Sequence, residues 1–152
     1  MSVSATSTKQ FGHLFGKEQG FSTDASGNSP TSGYMVALQG SEESHAAPLL
    51  HPEHLDTYRE KHGATLSQPG MHMGGWNDTD RGAVDLDTSI NMPSGGPVRQ
   101  AEAKGAMITH GQRSMYNVDT GDLEWNKYYG LSKQQAHSKI KSEYEQAAGE
   151  HR

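Results

Sequence analysis

A chain of 152 residues is the size of one domain, yet Leu, Ile, Val and Phe together supply only 20 of them, so a small core must coexist with long segments that bury little. The absence of cysteine excludes disulfides and thiolate metal sites, no window approaches the roughly 18 apolar residues of a membrane span, and the start Met1-Ser2-Val3-Ser4-Ala5-Thr6 does not read as a signal peptide. The net charge of −5 is uneven, with residues 33–130 carrying −6, and an acidic middle argues against sequence-independent nucleic-acid binding.

Residues 1–32 are rich in Ser, Thr and Gly without an apolar period and read as an extended N-terminal arm, with Ser22 to Gly33 as linker. One island interrupts it: Phe11-Gly12-His13-Leu14-Phe15-Gly16 followed by Phe21, which holds all three Phe of the protein. Two fates suit such a cluster. It folds back onto the core, or it docks into a groove on a neighbour, which makes Phe11, Leu14, Phe15 and Phe21 candidate partner-binding residues.

From Tyr34 the pattern changes, and 33–130 reads as the folded domain. Tyr34 to Leu38 is a short apolar strand, and 41–50 a loop. Pro52 suits a first helical turn, with Leu55, Tyr58, His62 and Leu66 at helical spacing and Gly63 a candidate early stop. Met71 to Trp76 reads as a second strand and 77–82 as a turn. Residues 83–90 alternate apolar and polar as a third, half-exposed strand, with Asp85 and Asp87 on the solvent side. Val98, Ala101, Gly105 and Ile108 share a face of a second helix. Ser114 to Val118 is a fourth strand, Asp119 to Asp122 a turn, and Leu123-Glu124-Trp125 a short return. The order predicts an α+β fold: a small sheet of about four strands with two helices on one face, ferredoxin-like in topology. Residues 131–152 read as a C-terminal helix with Ser132 and Gln135 as its cap. Its apolar stripe is thin and needs a surface to lie on, so Ile140 and Tyr144 join the candidate contact residues. Trp125, Tyr128 and Tyr129 close the domain as a core edge or an interface anchor.

Chemistry-bearing patterns are weak. Asp85-Leu86-Asp87-Thr88-Ser89 approaches the D-x-D-x-T pattern of aspartyl phosphotransferases but lacks the larger scaffold and the partners that chemistry needs. Asp78 and Asp80 start a calcium-loop spacing that fails at Gly82, Ala83 and Ser89. Among nine His, His51 and His54 lie three apart with His45, His62 and His72 nearby, but no H-E-x-x-H occurs. No catalytic residue, metal or cofactor is therefore assigned, and the chain reads as a binding protein rather than an enzyme.

Gly74-Gly75-Trp76, Leu86-Asp87-Thr88-Ser89 and Gly111 to Asn117 with Thr120-Gly121 resemble a small domain encoded by tailed bacteriophages of actinobacteria, over about residues 33–125. The resemblance supplies no catalytic residues. It implies a structural or accessory virion protein, a minor component of head (capsid) or tail, made in the host cytoplasm and present in several copies among other virion proteins; the acidic middle and the lack of an apolar span leave nucleic acid and membrane out as partners. The alternatives are a small cytoplasmic module that inhibits a host protein and a His-dependent metal hydrolase.

Overall fold

The computed structural model describes residues 2–150. Its elements are α1 (Ala5–Leu14), β1 (Gly20–Thr23), β2 (Tyr34–Ala37), β3 (Glu43–Ala46), α2 (Pro52–Lys61), α3 (Gly63–Leu66), β4 (Met71–Asp78), β5 (Ala83–Met92), α4 (Pro97–Thr109), β6 (Ser114–Asn117), β7 (Asp122–Trp125) and α5 (Lys133–Glu150). The strands form one antiparallel sheet in the order β1-β4-β5-β2-β6-β7, with β3 also paired to β5. The fold is α+β, but the expected four-stranded ferredoxin-like sheet with two helices is replaced by seven strands and five α-helices, and the expected extended arm contains α1 and β1.

The chain divides into two compact units, one of residues 1–30 and 40–89, the other of 31–39 and 90–152. In the first, α1 exists because of its surroundings. Ser4 caps it by accepting the Ser7 N–H, and both hydroxyls donate to Asp56 Oδ1 of α2 at 2.6 Å. Arg59, one turn along α2, donates to Ser7 Oγ at 2.6 Å and to Gln10 Oε1 at 2.9 Å. The inward face of α1 is therefore Ser7, Gln10, Phe11 and Leu14, half of it polar, with Leu14 fully buried. The core beneath joins Leu14 to Leu50, Leu55, Tyr58, Leu66, Met73, Val84 and Leu86.

The doublet Gly74-Gly75 in β4 serves both faces of that strand. A Cβ on Gly75 would meet the Phe21 ring at 2.5 Å and Leu14 at 3.1 Å, so its absence lets β1 seat Phe21 in the core. A Cβ on Gly74 would lie 2.5 Å from Asp87 Oδ1, so its absence lets Asp87 fold down onto the opposite face. Asp87 thus does not simply face solvent as the alternation suggests. It is partly buried.

In the second unit, Tyr34, Val36 and Met115 pack under Ala103 and Met107 of α4. Gly95 and Gly96 turn the chain into α4 at φ of 117° and 104°, and Pro97 takes its first turn. The α5 helix lies against α4 through Ala136 and Ile140, which join Ile108 and Tyr128. Its cap is reciprocal: Gln135 N–H donates to Ser132 Oγ at 3.1 Å, and Ser132 N–H to Gln135 Oε1 at 3.2 Å.

Candidate interaction surface

The β6–β7 hairpin turns on Asn117, whose carbonyl accepts the Gly121 N–H at 2.8 Å and whose side-chain oxygen accepts the Thr120 N–H at 3.2 Å. Gly121 holds φ of 78°, a left-handed conformation that glycine takes without strain. This turn fixes the register Ser114 to Trp125, Met115 to Glu124, Tyr116 to Leu123 and Asn117 to Asp122. Met115 and Asn117 then point to the α4 side, and Tyr116, Leu123 and Trp125 point to the other.

These three side chains are 42%, 50% and 67% exposed, and Met35 of β2, the cross-strand partner of Tyr116, continues their row inward. Three large apolar groups side by side on one sheet face leave a contiguous apolar patch in water, which makes them a candidate interaction surface.

The edge has a defined backbone polarity as well. Asn126 N–H donates to the Arg113 carbonyl at 2.7 Å, which makes residues 113 and 126 a hydrogen-bonded pair. Alternation of the antiparallel ladder then turns the N–H and C=O of Glu124 inward to β6 and those of Leu123 and Trp125 outward. β7 ends the strand order, so this is an open edge.

Its own charges are acidic: residues 114–126 hold Asp119, Asp122 and Glu124 and no Lys, Arg or His, while of the flanking bases Lys127 is paired with Glu143 at 2.9 Å and Arg113 lies over the Tyr129 ring. Glu124 is fixed by Asn117 Nδ2 at 2.8 Å and by Gln100 Nε2 of α4 at 2.9 Å, which tethers β7 to the helix behind it. Burial pushes the Tyr34 hydroxyl pKa up, and Glu124 and Asp119 add to it.

The residues expected to bind a partner fall into three groups. Phe11, Leu14 and Phe21 belong to the first unit's own core, the fold-back fate of the Phe cluster, while Phe15 remains 45% exposed beside Phe11. Tyr128 and Ile140 join α4 to α5, with the Tyr128 hydroxyl donating to Glu143 at 3.0 Å. Trp125, Tyr129 and Tyr144 are exposed, Tyr129 under the Arg113 guanidinium at 4.8 Å. Tyr116 and Leu123 were not singled out from the sequence. The signal for them was the hairpin register: a turn at Val118 to Gly121 places both on the face of Trp125.

His45, His51, His54 and His62 pack on neighbouring rings at tilts of 31–33° rather than converging. His45, His54 and His51 form a row with ring centroids 5.1 and 5.8 Å apart, His54 Nδ1 accepts the His51 N–H at 2.9 Å, and His62 packs on Tyr58. Among the described residues no group of three or more His, Asp or Glu is arranged to hold a metal ion. Among them also no helix is long and apolar enough to cross a membrane. No protein-family model, no curated protein and no solved structure matches this chain significantly.

Proposed function

We propose that this chain is a non-enzymatic protein-interaction component whose contact surface is the row Tyr116, Leu123 and Trp125. The observation that carries the reading is that three large apolar side chains stand exposed and adjacent at an open sheet edge. Burying one such side chain is worth about 1.5–3 kcal/mol, so the row is the part of this unit that gains most from a partner. The resemblance to the actinobacterial phage domain points to an assembling virion as the setting, with capsid or tail subunits as partners.

Mass spectrometry of purified particles is expected to find the chain in several copies per particle. A Leu123→Ser/Trp125→Ser double variant is expected to keep its melting temperature and lose at least about tenfold in incorporation, since the two groups, already partly buried, still have roughly 2 kcal/mol or more of contact to gain. Absence from particles removes the virion setting, and undiminished incorporation of the variant removes the surface.

A further inference from the structure

Resting on that surface, we infer that the β7 edge takes up an extended segment of another protein whose residues alternate apolar and basic, added as an eighth strand. Three observations converge on this occupant. The outward backbone groups of Leu123 and Trp125 offer two donors and two acceptors in the plane of the sheet, which is what strand addition uses. Their side chains lie on one face, so the residues of the incoming strand on that face meet Leu123 and Trp125 and are apolar. Asp122 and Glu124 lie on the other face, and Asp119 adds to their field with no base in residues 114–126, so the intervening residues are Lys or Arg.

The same charges argue against a second copy on this edge. In antiparallel self-pairing the outward residues face each other. Centring the pair on Glu124 sets Glu124 directly against its own copy. Centring it on Leu123 sets Asp122 against Glu124 twice. Like charges placed opposite on neighbouring strands are destabilising, a common device for keeping edges from self-association. Those two registers are thus disfavoured, whereas one centred on Trp125 sets Glu124 against Asn126 without like charges, so a basic strand is favoured in every register and a second copy in only one.

The test uses the full chain and three blocked eight-residue peptides: alternating Lys and Val, alternating Glu and Val, and the Lys–Val peptide N-methylated at every second residue so that one edge cannot donate. Amide resonances of Leu123 and Trp125 are followed by NMR titration. The Lys–Val peptide is expected to shift both and to bind at least about tenfold more tightly than Glu–Val. Its affinity is expected to fall with added salt, to be lost on N-methylation, and to drop at least about tenfold for Trp125→Ser. Asp122→Asn is expected to narrow the preference for Lys over Glu without touching the tethered Glu124. Equal binding of the two charged peptides, equal binding of the methylated one, or no shift at β7 overturns the inference. So does a monomer–dimer equilibrium in sedimentation that Trp125→Ser abolishes, since that seats a second copy on the edge. If the double variant fails to incorporate while the peptides show no preference, the surface stands and strand addition falls. If the double variant incorporates normally, the surface itself falls.

Discussion

Asp87 and Asp56 are carboxylates of the same unit whose surroundings move them in opposite directions. Burial over Gly74 pushes the Asp87 carboxyl up to about 6, and repulsion from Glu42 and Asp85 adds to this against the opposing Ser89 hydroxyl. Hydroxyls of Ser4 and Ser7 hold Asp56 down at about 2, with the Ser4 N–H and Arg59 assisting. For Asp87 the folded value lies above the unfolded one. The stability linked to it is complete below about pH 4 and is lost as pH rises through about 6. For Asp56 the folded value lies below, so its contribution is present above about pH 4 and lost as pH falls through about 2. Asp87→Asn is therefore expected to raise stability at pH 7 by about 2–3 kcal/mol and to flatten the stability profile between pH 4 and 6, as urea melts across that range would record. An unchanged profile would show that the proton on Asp87 is not linked to folding.

Helix α1 shows why an element can be invisible in the sequence and still hold a core together. Its buried positions 7, 10, 11 and 14 have the 3–4 spacing of an amphipathic helix, but Ser7 and Gln10 occupy two of them, so no apolar period registers. Those two residues satisfy Arg59 and Asp56 of α2, a relation between positions about 50 apart that no local pattern encodes. β3 was hidden for a related reason. Glu43 to Ala46 has no apolar alternation and is a strand because it pairs with Ala83 to Leu86 of β5. The elements with strong local signals, β2, α2, β4, β5, α4, the β6–β7 hairpin and the Ser132-capped α5, were legible, whereas the strand count and partners were not. At the candidate surface the sequence yielded Trp125 but not the register that sets Tyr116 and Leu123 beside it. Because Leu14 is fully buried among Leu55, Tyr58, Met73 and Leu86, Leu14→Ala is expected to cost about 2–5 kcal/mol. Chemical denaturation would register this, and a cost under about 0.5 kcal/mol would mean that α1 is dispensable to the core.

On the scale of the whole chain the two units are interleaved. Residues 31–39, which carry β2, belong with 90–152, while the stretches on either side of them form the other unit. No contiguous fragment therefore contains the second unit alone. A 90–152 fragment lacks Tyr34 and Val36, two of the five residues buried in its main core cluster, and is expected to show no cooperative thermal transition. A sharp transition in circular dichroism for that fragment would show that β2 is not integral to it. The interleaving also orders events during synthesis. The first unit has all its residues once position 89 is made, but β2 is made early and has to wait for its neighbour β6, which ends at Asn117. At about 5–20 residues per second that wait lasts roughly 4–16 s. During it the apolar run Tyr34-Met35-Val36 is a nascent strand without its second neighbour, the stage at which a ribosome-associated chaperone would have most to shield.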